Sequence, residues 1–220
     1  MNPADFPWIF RRDDIDLLED EIDDLYAQVA AEASTDVGSL EEEVLREQRE
    51  TEEQSEAELS LKLHLRGISP LVPAPPAEGS FASEQMLTDR YGDRVRAHPM
   101  YQYARLWARR LREVAKSGYA AQGVLRKDFF RVYANANLVP IKVFTALCEG
   151  GEEDQLGLEV ALEAFEMATV YVARIQESLA CLRMQAPFDE RLERLMDEGG
   201  RLGAILREHA EDLKRRKRFV

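Results

Sequence analysis

The sequence predicts an all-α protein: a helical bundle of about four to five helices carrying an acidic helical N-terminal extension. Three observations point there. Apolar residues recur at spacings of three and four in nearly every segment, whereas the strict alternation of strands is weak throughout. Four of the nine prolines fall between residues 68 and 80 and divide the chain. Charge is divided in the same way: from Asp13 to Glu58 the chain carries 19 acidic residues against Arg46 and Arg49, a local charge of −17, while the whole 220 residues sum to −13. Everything outside that segment is therefore slightly basic.

Taken in order, the chain begins with an aromatic cluster, Phe6, Trp8, Ile9 and Phe10. Ile15, Leu18, Ile22, Leu25 and Val29 follow at alternating spacings of three and four, the seam of a coiled coil or of a helix laid on a surface. Asp13, Asp14 and Asp16 suit the positive N-terminal end of that helix. Ser39 with Glu42 three residues later reads as a capping box that opens a second helix, running to about Leu65 and stopping at Gly67. Its middle, Glu47 to Glu58, has almost no apolar stripe, which predicts a solvated or partly disordered helix. Pro70, Pro73, Pro75 and Pro76 then impose extended chain. The domain organisation that follows is an acidic helical arm over 1–66, a proline-rich linker over 67–82, and a helical bundle body over 83–220.

In the body a short helix is expected over Glu84 to Ala97. Pro99 suits the first turn of the next helix, which ends near Lys116 and Gly118. A third runs from about Val124 to Cys148, and Pro140 inside it predicts a kink or a split near Asn137. The fourth, Gln155 to Met184, is apolar around most of its circumference and belongs at the centre. The last spans Asp189 to Arg216, its leucine seam loosened by Gly199, Gly200 and Gly203.

Enzyme signatures are absent: there is no Gly-x-Ser-x-Gly, no glycine-rich phosphate loop, no His-Glu-x-x-His and no Cys-x-x-Cys. Glu159, Glu163, Glu166 and Glu177 lie close together on the fourth helix, but the Glu-x-x-His pairs of a bundle di-metal site are missing. His64, His98 and His209 share no ligand spacing. Neither a metal nor a cofactor is expected, His98 reads as a helix N-cap, and His209 as a satisfied core or interface residue. Charged residues interrupt the most apolar segment, 156–182, so no membrane span is predicted. The acidic N-terminus does not read as a secretory signal, and Cys148 and Cys181 are placed too far apart to bridge, which fits a reducing, cytoplasmic setting.

Two constellations remain. Arg105, Arg109, Arg112 and Lys116 occupy one helix face at i, i+4, i+7 and i+11; they are either a plain solvated face or a receptor for an anionic partner. Tyr133, Asn135, Asn137 and Lys142 gather around Pro140 and could line a small-ligand pocket, since a broken helix frees backbone groups. The glutamates of the fourth helix read as a solvated outer face. The basic run Lys214 to Arg218 could clasp an acidic surface, but the −17 arm would compete with nucleic acid for it, which argues against nucleic-acid binding. The function expected is a non-catalytic protein–protein interaction or self-association module, with Trp8, Phe10, Ile15, Leu18, Ile22 and Leu25 on the arm and Arg105, Arg109, Arg112 and Lys116 on the body as recognition residues. The alternative is a ligand-binding bundle, an enzyme included, with its pocket at Pro140.

Overall fold

A computed structural model describes residues 22, 25, 37–65, 93–121, 125–150, 155–185 and 189–217. Five long helices account for nearly all of them: α1 (Val37–Leu65), α2 (Pro99–Ala120), α3 (Arg126–Glu149), α4 (Gln155–Gln185) and α5 (Glu190–Lys217). A helical turn over 93–97 leads into α2, residues 22 and 25 are helical, and no strand occurs among the described residues. The predicted helix over 84–97 is thus seen only in its last five residues. Trp8, Phe10, Ile15, Leu18 and the proline-rich segment lie outside the described residues.

Helices α2 to α5 form an up-down-up-down bundle. Tyr119 meets Phe130 and Tyr101 meets Phe144, so α2 and α3 run antiparallel. Phe165 meets His209, and Arg183 meets Glu193, so α4 and α5 do too. Trp107 and Tyr103 reach Leu195 and Glu198, which closes the square between α2 and α5. Each helix turns an apolar stripe inward. In α2 that stripe is Met100, Ala104, Trp107, Leu111, Ala115 and Tyr119, at steps of three and four. Helix α4 sits at the centre as its composition predicts, with 17 of its 31 residues buried. Val170 and Met184 are its exposed large apolar residues, at 41% and 75%.

The helix starts and stops follow local chemistry. His98 stands at the N-cap of α2, its Nδ1 accepting from the backbone N–H of Met100 at 3.3 Å, with Pro99 in the first turn. Pro140 neither splits nor ends α3, which runs unbroken from Arg126 to Glu149. Buried Leu138, Val139 and Val143 fix both sides of the proline in the core, so packing holds a helix that the isolated sequence would break.

Two glycines mark close approaches. A Cβ on Gly118 would lie 2.2 Å from the Phe129 ring, which is how tightly the α2 end meets α3. A Cβ on Gly199 would lie 2.1 Å from Gln176 Nε2 and 2.6 Å from Trp107 Cζ2. Gly199→Ala should therefore destabilise by about 1–3 kcal/mol, the usual cost of overpacking, whereas Gly200→Ala, with nothing within 4 Å, should be neutral or stabilising through its helix propensity. Urea titration of the two variants side by side checks this; equal stabilities would mean that α5 does not approach Trp107 this closely.

Candidate functional site

The side chains α1 buries, Glu41, Val44, Gln48, Glu52, Ser55, Leu59 and Leu63, fall at steps of three and four. They form a helical seam in which four of the seven members are polar. The middle of α1 is therefore solvated on one face only, because its polar stripe has a matching bed on α3 and α4. Increasing numbers on α1 meet increasing numbers on α3 and decreasing numbers on α4, so α1 lies parallel to α3 in the groove between the two.

Glu43 receives Lys127 at 2.6 Å, and one helical turn later Glu47 receives Arg131 through both oxygens at 2.8 and 2.9 Å. Arg174, from α4, reaches Glu47 at 3.2 Å, Gln48 at 3.1 Å and Thr51 at 2.5 Å. Gln48 donates to the Asn135 side-chain oxygen at 3.0 Å, and Asn135 in turn donates to the Arg131 carbonyl. Deeper in, Lys142 lies 3.6 Å from Glu52, whose same oxygen accepts the Tyr171 hydroxyl at 2.9 Å. At the far end Ser55 and Lys62 each donate to Glu163, at 2.7 and 2.9 Å. Burial pushes the Glu47 carboxyl up, but the Arg131 hydrogen bond and the charges of Arg174, Arg131 and Lys127 outweigh it and hold it below the ordinary carboxylate value. Burial likewise opposes the Lys62 ammonium, and the Glu163 carboxylate more than compensates, so its pKa is raised.

The glutamates of α4 thus divide: Glu159 and Glu163 are withdrawn from solvent, whereas Glu166 and Glu177 stay on a solvated face, where Glu166 pairs with Lys214 at 3.0 Å and Glu177 with Arg131 at 3.1 Å. In sequence a carboxylate on a helix reads as surface whatever faces it; the signal for burial here is Asn135 and Lys142 among the apolar residues of α3 and Arg174 among those of α4.

On its other flank α3 faces α2 across an open groove of about 960 Å³. Its α2 wall carries Arg105, Arg109, Arg112 and Lys116, and Arg96 joins them from the preceding turn, against the single carboxylate Glu113. Tyr101, Ile141 and Phe144 make an apolar floor, with Tyr101 edge-on to Phe144 at 5.6 Å, and Leu106 is 47% exposed at its edge. Arg112 and Lys116 lie over the buried Tyr133 ring at 5.6 and 5.7 Å. Arg109 pairs with Glu113 at 3.6 Å, both largely solvated, a contact of little energy.

The residues singled out from sequence therefore separate. The basic stripe is one face of this groove, and α1 docks elsewhere, on Lys127, Arg131, Lys142 and Arg174. Of the four residues around Pro140, only Asn137 lines the groove, its amide donating back to the Tyr133 carbonyl at 3.2 Å. Asn135 and Lys142 belong to the α1 bed, and Tyr133 is fully buried. Ile22 and Leu25 are buried in the main apolar cluster together with Val44, so their side chains are covered. His209 rests against Phe165 and hydrogen-bonds the Ile205 carbonyl at 2.9 Å.

Among the described residues no three His, Cys, Asp or Glu side chains converge on a point that could hold a metal, and no helix is long and apolar enough to cross a membrane. No family model matches the chain, and no curated protein and no solved structure is similar to it.

Proposed function

We propose that this protein is a non-catalytic interaction module whose recognition surface is the α2–α3 groove, taking an acidic segment of a partner protein. The observation that carries this reading is that one groove joins five cations to a half-buried apolar floor. The apolar floor would supply affinity that salt does not remove, and the cations orientation and encounter rate. The net charge of −13 over the whole chain weighs against polyanionic nucleic acid as the ligand. The small-ligand reading keeps a cavity at Pro140 and Asn137, which line the same groove, but it loses two of its polar residues, because Asn135 and Lys142 are committed to α1.

The test is to identify the retained partner by affinity capture from native cells, then to measure its binding to the purified chain by calorimetry. Arg105→Glu with Arg109→Glu, both exposed, should leave thermal unfolding nearly unchanged and weaken binding by more than about tenfold, or about 1.4 kcal/mol. A partner that binds the charge-reversed variant as tightly as the wild type would show that recognition lies outside this groove.

A further inference from the structure

Helix α3 is flanked by two grooves, one filled and one open, and the filled one shows how this fold holds an acidic helix. On α1, Glu43 and Glu47 stand one turn apart and meet Lys127 and Arg131, which stand one turn apart on α3. Two neighbouring helices keep such a register because each rises about 1.5 Å per residue, so an i, i+4 step on one advances as far as an i, i+4 step on the other. The open groove repeats the cationic half of this arrangement over a longer run. Arg105, Arg109, Arg112 and Lys116 follow one another at i, i+4, i+7 and i+11 along about 16 Å of α2, above Tyr101, Ile141 and Phe144.

Resting on the groove as the recognition surface, we infer that its ligand is an amphipathic α-helix of a separate protein, with carboxylates at i, i+4, i+7 and i+11 beside an apolar stripe. Charge complementarity sets the sign: five cations line the groove with one carboxylate, Glu113, which Arg109 and Arg191 hold at 3.6 and 3.4 Å, and Asp93 beside it pairs with Arg96 at 3.1 Å, so the wall keeps a net positive charge. Backbone chemistry sets the conformation. An extended segment would bring its own N–H and C=O groups against a floor of aromatic and aliphatic side chains, whereas a helix satisfies its backbone internally and presents only side chains. The cations of α2 would meet the carboxylates, and the stripe between them would seat on Ile141 and the Tyr101–Phe144 pair.

The probes are two fluorescent peptides of identical composition and about five turns, one with glutamates at the stated spacing beside leucines, the other with the same residues shuffled so that no face forms. Anisotropy titrations with the full chain should show the patterned peptide binding at least about tenfold more tightly than the shuffled one, gaining helical circular dichroism on binding, and weakening in high salt without vanishing. Arg105→Glu with Arg109→Glu should remove that preference. Equal binding of the two peptides would reduce the groove to unspecific charge attraction and overturn the inference, and so would unchanged binding to the double variant. Tighter binding of a single-stranded oligonucleotide, lost in the same variant, would replace the helix by nucleic acid. If the captured native partner loses affinity for the variant while neither peptide binds the wild type, the groove remains a protein-recognition surface and the helical acidic ligand is wrong.

Discussion

Lys142→Met should cost about 3–5 kcal/mol of stability, the range for removing one partner of a buried ion pair. The side chains of Lys142 and Glu52 are 4% and 9% exposed, and they lie 3.6 Å apart at the contact of α1 with α3. Without the ammonium, Glu52 keeps the Tyr171 hydroxyl at 2.9 Å but must either hold a carboxylate away from water or take up a proton, and both are unfavourable. The pair itself contributes far less than its loss would suggest, because bringing both charges out of water offsets most of their attraction. Lys142→Met combined with Glu52→Gln should accordingly recover most of the loss, since glutamine removes the charge and still accepts from Tyr171. Denaturant midpoints of the two variants, with amide exchange over 41–63, measure both effects; a single-variant loss under about 1 kcal/mol would mean that water reaches the pair and that α1 is not seated as described.

How much of this was legible in the sequence differs between the body and the arm. The last four helices could be read almost to their ends, because their buried faces are apolar and announce themselves by period. Helix α2, for instance, was expected from Pro99 to about Gly118 and ends at Ala120. The interface of α1 was not legible by that route. Its seam is regular, but Glu41, Gln48, Glu52 and Ser55 occupy it, and a search for apolar periodicity finds only Val44, Leu59 and Leu63. Whether a polar seam is buried depends on what faces it, and that is a property of two helices together. Pro140 shows the same limit from the opposite side. Its local chemistry predicts a break, yet burial of Leu138, Val139 and Val143 outweighs the lost backbone hydrogen bond. Half of the groove could be foreseen: the arginine stripe follows from spacing within one helix, but nothing in the sequence places Ile141 and Phe144 opposite it.

Polar seams also bear on how the arm behaves. A helix held by hydrogen bonds and ion pairs gains less per contact than one held by apolar burial, since each bond replaces one made with water. Its register, however, is fixed more sharply, because a shift along the bed would leave Gln48, Glu52 and Glu163 without partners at once. The α1 interface is in that sense more specific than strong, whereas the α2–α5 contact combines the buried Trp107 ring with oriented donors.

Trp107→Ala should therefore be as costly as any core truncation in the molecule, about 3–5 kcal/mol. Its ring is 1% exposed, and it sits where α2 crosses α5 against Gly199. Two side chains of α2 fasten that crossing by donating within one turn of α5, Trp107 to the Leu195 carbonyl at 2.9 Å and Tyr103 to the Glu198 carbonyl at 3.1 Å, and Gln176 of α4 donates beside them to the Met196 carbonyl at 2.8 Å. Trp107→Phe separates the two contributions. It keeps much of the buried ring but lacks the donor, and the Leu195 carbonyl, inside a helix, retains a backbone partner, so the hydrogen-bond share should be only about 0.5–1.5 kcal/mol; the remainder of the alanine loss is volume. Coupling to Gly199 gives a second readout. With the indole gone, a methyl at position 199 loses its clash at 2.6 Å and meets only the flexible end of Gln176, so the penalty of Gly199→Ala should shrink in the Trp107→Ala background by more than about 0.5 kcal/mol. Strict additivity of the two substitutions in denaturant titrations would show that the ring and the glycine do not touch, and would place the α2–α5 crossing elsewhere.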